Sequence, residues 1–295
     1  MRILSLLPAA TDMLTSMGLA DLLVGCTHEC DARNANDAIP RVTQSRIASG
    51  MSSVEIDRLV RESSVNKEPL TRIDCDLVRS LRPDVVISQG LCEVCAITPN
   101  QLQKLAKELE RDRTQSTAIR WVEIVPKTLE QVFQSMRDLG EAIGRTEESN
   151  ALVLRLQERM AKLEERHRGT PAIATVALEW LNPFFNVGHW TPELLQKINL
   201  MDKLGNPGGH SHQCDWEDII ALKPEVLLFA CCGRTRDETA SEIEQLSNTI
   251  PWSRLPAMAK GQYLVLDGNT SFSRPGPQLV ETMEEISSWL ASKFG

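Results

Sequence analysis

Five short clusters of polar and aromatic residues hold most of the reactive side chains in this sequence. They are Thr27-His28-Glu29-Cys30-Asp31, Gln89-Gly90-Leu91-Cys92-Glu93-Val94-Cys95, residues 179–190, Cys231-Cys232-Gly233, and Asp267-Gly268-Asn269 with Ser271-Phe272-Ser273-Arg274 beyond it. The third is the densest. It holds Glu179, Trp180, Phe184, Phe185, His189 and Trp190 in a chain whose aromatic content is only 4%. A hydrophobic core accepts the four rings but not the carboxylate and imidazole beside them. A pocket for a large, flat, partly polar ligand accepts all six. Taken singly, each ring is equally at home in a core.

Two other chemistries are open to the same clusters. His28-x-Cys30 and Cys92-x-x-Cys95 follow two strands of one lobe, so His28, Cys30, Cys92 and Cys95 form an alternative zinc-type set of imidazole and thiolate ligands. Glu93, Glu179, His28 and His189 are acid–base candidates, and Cys231-Cys232 are candidate nucleophiles. No spacing orders these into a triad, and His210-Ser211-His212 reads as a loop. The sequence has no GxGxxG after its first strand, no GxxxxGK[ST], no GxSxG and no HExxH. The expectation is a binding protein without a cofactor of its own rather than an enzyme.

The elements that position these clusters come next. Short apolar runs at residues 3–7, 22–26, 85–88, 119–124, 173–178, 226–230 and 263–266 read as strands. They alternate with helix-period segments such as 10–17 and 101–109, which is the pattern of an α/β protein with parallel sheet. Every cluster follows a strand, and the carboxyl edge of a parallel sheet is where such folds bind ligands. Residues 46–74 break the alternation and read as a polar surface excursion with a short helix at 54–60. Gly205-Asn206-Pro207-Gly208-Gly209 reads as a loop.

An internal repeat suggests two lobes. Leu81-Arg82-Pro83-Asp84-Val85-Val86-Ile87 matches Leu222-Lys223-Pro224-Glu225-Val226-Leu227-Leu228 at an offset of 141 residues. The proline ends a helix and starts a strand in each copy. Between the copies, Leu129, Val132, Phe133, Met136, Leu139 and Ile143 paint one helical face, with Gly144 as C-cap and Thr146 as N-cap of a second helix. The expected organisation is an N-terminal α/β lobe at 1–126, a connecting helix at 127–146 and a C-terminal α/β lobe at 147–295.

Composition excludes several classes. A formal net charge of −8 disfavours nucleic-acid binding, which needs a basic face. With 42% hydrophobic residues the chain can bury a core, yet no run approaches a membrane span. The apolar run before Pro8 is too short for a signal peptide. The eight cysteines are then expected as thiols, and the chain as a cytoplasmic monomer.

Arg2-Ile3-Leu4-Ser5-Leu6-Leu7-Pro8-Ala9-Ala10-Thr11-Asp12, Leu22-Leu23-Val24-Gly25-Cys26 with the cluster after it, and both copies of the repeat resemble the substrate-binding proteins of vitamin B12 and iron-chelate ABC importers. The resemblance implies two Rossmann-like lobes joined by one long helix, with ligand held in the cleft between them. It implies a cobalamin-like corrinoid or other metal chelate as bound ligand. Trp180, Phe184, Phe185, Trp190 and Phe272 would then wall the ring. Glu179, Glu93, Asp31 and Arg274 would bond its amides, and His28 or His189 would approach the metal, with Glu29 and Cys92 at the same edges. Family members that dock on a permease carry an acidic residue on each lobe. Residues 96–101 here have none, which leaves Glu238 and Glu242 on the other lobe, so an intracellular carrier or sensor is expected rather than delivery to a permease.

Overall fold

Runs that are apolar at every position, such as Ile3-Leu4 and Val85-Val86-Ile87, suit strands covered on both faces. In the computed structural model they lie side by side at the centre of a parallel sheet. The structure describes residues 1–30, 38–48, 50–66, 68–89, 97–111 and 118–294. The chain divides into two units: Met1–Met51, Glu55–Val125 and Gln134–Val153 form unit 1, and Ser52–Val54, Pro126–Phe133 and Leu154–Gly295 form unit 2.

Unit 1 runs β1 (Ile3–Ser5), α1 (Pro8–Ser16), β2 (Leu23–Gly25), β3 (Thr43–Ser45), α2 (Ser53–Asn66), β4 (Thr71–Ile73), α3 (Cys75–Leu81), β5 (Val85–Gln89), α4 (Pro99–Arg111) and β6 (Arg120–Ile124). Its parallel sheet has the order β2-β1-β5-β6. Pro8 opens α1, where a missing N–H costs nothing and the fixed φ suits the helix. Residues 46–74 hold more order than their polarity suggests: α2 extends over 14 residues, and β3 and β4 pair antiparallel at either end of the excursion. Helices α5 (Leu129–Ala142) and α6 (Thr146–His167) follow, broken at Gly144, whose φ of 67° is the left-handed turn that ends a helix. A Cβ on Gly140 would sit 2.1 Å from Ser149 Oγ, so glycine lets the two helices close on each other.

Unit 2 runs β7 (Ile173–Leu181), β8 (Phe184–Asn186), β9 (Gly188–His189), α7 (Thr191–Gln196), β10 (Leu200–Asp202), β11 (Asn206–Pro207), α8 (Trp216–Ala221), β12 (Val226–Phe229), α9 (Arg236–Leu246), α10 (Pro256–Ala259), β13 (Tyr263–Val265) and α11 (Gln278–Phe294). The parallel order is β10-β7-β12-β13, and β8 folds back antiparallel on β7. The glycine-rich stretch read as a loop contributes β11, which pairs with β9. Val176, Leu178, Leu227 and Phe229 face into one core with Trp252, Ile219 and Leu255. Each such side chain contributes about 1.5–3 kcal/mol by leaving water.

The repeated motif does the same job in both units. Arg82 and Lys223 end their helical segments at φ 46° and 47°. The acid after each proline then reaches back to the edge of the unit's first strand. The Arg2 N–H donates to Asp84 Oδ2 at 2.7 Å, and the Ala174 N–H donates to Glu225 Oε1 at 3.3 Å. The return bonds, Asp84 N–H to the Arg2 carbonyl and Glu225 N–H to the Ala174 carbonyl, are both 2.7 Å. Among the described residues, no helix is long and apolar enough to cross a membrane.

Candidate functional site

In each unit the chain leaves its first strand for a neighbour on one side and then returns on the other. The reversal falls between β1 and β5 in unit 1, and between β7 and β12 in unit 2. Loops at the carboxyl ends of such a pair diverge, which opens a crevice suited to ligands.

In unit 2 this edge is well furnished. Strand β7 runs three residues further than its apolar run, so Glu179 and Trp180 belong to a strand and the 179–190 segment is a hairpin rather than a loop. Trp180 and Phe185 are cross-strand partners, both half-buried. Beyond β12, the Cys232 N–H donates to the Glu179 carbonyl at 3.0 Å, and the chain turns through Gly233 at φ 74°. That turn delivers Arg234, whose guanidinium carbon lies 5.7 Å from the Trp180 ring centroid. Arg234 and Glu242 are only 7% and 8% exposed and form an ion pair at 3.5 Å. The loop after β13 closes the edge: a Cβ on Gly268 would lie 1.7 Å from the Cys231 carbonyl oxygen, so only glycine allows that approach.

Other expected wall residues have structural positions. Phe184 is 7% exposed and packs on Trp216 and Trp252 at 5.9 and 6.0 Å, inside the core. The Trp190 indole N–H donates to the Phe272 carbonyl at 3.0 Å, and both rings are buried, which ties the hairpin to the last loop. Arg274 is 6% exposed in that loop. His189 takes a left-handed φ of 53°, uncommon for a residue with a Cβ. Its Nε2 is buried with no hydrogen-bond partner among the described residues, and its ring packs 4.9 Å from that of His210. Burial first, then the charges of His210 and Lys127, lower its pKa and favour neutral imidazole. A cavity of about 360 Å³ elsewhere in unit 2 is lined by Leu129, Phe133, Met160 and Glu164, with Glu193 and Lys197, and contains none of the candidate residues.

The thiol nucleophile reading meets a physical obstacle at Cys231, where burial and then the Glu242 charge push the thiol up to about 12. Glu238 and Glu242, the acids left for docking, are both engaged. Glu238 caps α9 by accepting from the Thr235 N–H at 2.9 Å, and Glu242 holds Arg234.

In unit 1 the edge after β2 carries His28, half-buried, with its backbone N–H donating to Thr43 Oγ1 at 2.9 Å and its Nδ1 2.7 Å from the same oxygen. Burial lowers the His28 pKa, and exposed Glu29 partly offsets this. Cys30 Sγ lies 3.2 Å from Thr11 Oγ1 and 3.4 Å from Thr27 Oγ1. Asp31, Cys92, Glu93 and Cys95 lie outside the described residues. Among the described residues, no group of three or more His, Cys, Asp or Glu is placed to hold a metal ion.

Sequence reasoning missed Arg234, and named Glu242 only as a docking acid rather than as its partner. A signal was present: Arg234 is the first residue after the Cys231-Cys232-Gly233 cluster, and Glu242 falls two turns into the helix that follows.

A profile of the periplasmic binding protein family matches residues 3–270. The chain belongs to that family. Its members are binding proteins rather than enzymes. A curated relative, the uncharacterized ABC transporter substrate-binding lipoprotein YvrC of Bacillus subtilis, is 21% identical over 97% of this chain and 78% of its own length. The periplasmic vitamin B12 binding protein BtuF of Vibrio cholerae superposes with a TM-score of 0.67 at 17% identity, covering 99% of this chain and 97% of that one. The periplasmic heme-binding protein RhuT of Roseiflexus sp. RS-1 reaches 0.71 at 15% identity, covering 99% and 98%. These structures share the fold.

Proposed function

We propose that this chain is a substrate-binding protein of the ABC-importer type whose ligand is a cobalamin-like corrinoid. The observation that carries the reading is Trp180: a half-buried indole at the strand-order reversal of unit 2, with the Arg234 guanidinium against it and Phe185 as its cross-strand neighbour. An aromatic face suits a broad, flat macrocycle, and a guanidinium held by Glu242 over Trp180 suits its peripheral amides or carboxylates. Two structural relatives are named for vitamin B12 and heme, which are both flat metal chelates. The carrier role does not draw on Glu238 or Glu242.

The test is an absorbance titration of the purified chain with aquocobalamin, cyanocobalamin and hemin. Corrinoid binding at micromolar affinity or tighter, about −8 kcal/mol or better, is the expected result. Flat corrinoid titrations beside saturable hemin binding would move the assignment to a haem carrier, and flat titrations throughout would reject the chelate class.

A further inference from the structure

The cavity of about 360 Å³ in unit 2 has no part in the corrinoid reading. It lies between the first turn of α5, the middle of α6, and α7, all within that unit. Its volume is at the small end of the range for ligand pockets. Buried Leu129, Phe133 and Met160 make an apolar floor, and exposed Ala161 stands at the rim. The polar part of the lining is unbalanced: Glu130, Glu164 and Glu193 stand against one ammonium, that of Lys197, a formal charge of −2. Lys197 Nζ donates to Glu164 Oε1 at 2.7 Å, so the lysine is already matched by an acid of the same lining. Glu193 Oε2 accepts from the Leu129 N–H at 2.9 Å, which fixes that carboxylate at the edge of the floor.

We infer that this cavity is a binding site for an aliphatic diamine. An acidic lining selects a cation, and its geometry selects the kind. Among the described residues, no three acids, histidines or cysteines are gathered closely enough to share a metal ion, and a bare ion would leave the apolar floor uncovered. Carboxylates spread around an apolar floor match a ligand with two positive ends and methylenes between them. One ammonium donates to Glu193 and the other to Glu130, each as a charge-assisted hydrogen bond. The methylene chain lies across Leu129, Phe133 and Met160, as the stem of a lysine lies on apolar surface while its head stays polar. Two ammonium groups also cancel the formal charge of the lining.

The experiment is isothermal titration calorimetry of the full chain with tetramethylenediamine at low ionic strength, with n-butylamine as the singly charged control. The diamine should bind once per chain with a dissociation constant under about 1 mM, and n-butylamine about tenfold more weakly. Glu193→Gln removes the charge but keeps an oxygen for the Leu129 N–H, and should weaken the diamine by about tenfold. Ala161→Trp fills the rim from an exposed position and should weaken both amines by about tenfold or more. No saturable heat with the natural chain, equal affinities for the two amines, or a diamine site indifferent to both variants would each overturn the inference. A natural chain that sediments as a dimer, and as a monomer once Ala161→Trp is made, would overturn it too by assigning the cavity to a second copy. No residue of this lining belongs to the Trp180 edge, so the result is independent of the cobalamin titration.

Discussion

The two units share a frame and differ at one junction. Both have the same strand order, both turn into their third parallel strand through a left-handed basic residue and a proline, and both anchor the next acid on the start of the first strand. After that first strand they part. In unit 1, β1 is 3 residues long and α1 begins almost at once. In unit 2, β7 is 9 residues long, β8 folds back on its end as a hairpin, and β9 follows before α7. That added hairpin holds most of the chain's candidate ligand-binding rings. The frame is set by apolar runs and turn chemistry, and the added hairpin lies where parallel sheets of this kind leave a crevice.

The largest expected break in the comparison is at the buried pair. Glu242→Ala removes the carboxylate of the buried Arg234 ion pair and should cost about 3–5 kcal/mol in urea unfolding. Arg46→Ala removes an exposed pair with Glu68 in unit 1 and should cost less than about 1 kcal/mol. Similar losses for the two would remove the special standing of the unit 2 edge.

The shared acid anchor should behave alike in both units. Asp84→Ala and Glu225→Ala each remove one acceptor from a first-strand N–H, and each should cost about 1 kcal/mol. A large inequality would mean that the repeat is a likeness of sequence without a common mechanical role.

His189 supplies a pH-dependent term particular to unit 2. Its folded pKa is lowered, so the unfolded chain binds the proton more readily, and stability falls as pH drops below the unfolded value of about 6.5. Asp202 acts in the opposite sense, because burial raises it to about 6 and the folded state takes up its proton first between about pH 6 and 4. The stability of His189→Asn relative to the natural chain isolates the histidine, since asparagine tolerates the left-handed φ. That relative stability should improve steadily from pH 7.5 to 5.5 on unfolding curves (roughly the range that brackets an ordinary imidazole). A flat difference would remove the term.

The smallest effects concern the strained turns. Arg82→Gly and Lys223→Gly relieve positive φ and should each raise stability by at most about 1 kcal/mol, the gain being partly offset by added freedom in the unfolded chain. Thermal melting of the pair of variants checks whether the two turns are equivalent.

Much of the frame was legible because buried parallel strands are apolar at successive positions, as in Val85-Val86-Ile87 and Val226-Leu227-Leu228, and because proline and glycine mark their ends. Strand β10 was not, since three residues at a sheet edge, with Met201 exposed, carry no period. The end of β7 was misplaced because Glu179 interrupts the apolar run while the backbone pairing continues. The cluster at 179–190 was found by composition, yet composition does not say which rings face outward. Phe184 is buried in the core and Trp190 is committed to Phe272, while Trp180, Phe185 and Trp216 are half-buried, Trp180 and Trp216 against that same core. Arg234, and Glu242 as its partner, escaped notice because their pairing depends on how α9 packs beneath a turn, and no local spacing rule encodes that.

The central claim is that the unit 2 edge grips the ligand through Trp180. Its most direct test is an equilibrium cobalamin titration of the natural chain, Trp180→Ala and Trp121→Ala, the last a tryptophan on a unit 1 strand away from either reversal. The account predicts that Trp180→Ala weakens binding by about tenfold or more, equivalent to about 1.4 kcal/mol, while Trp121→Ala leaves affinity unchanged. Equal affinities for the natural chain and Trp180→Ala would contradict it.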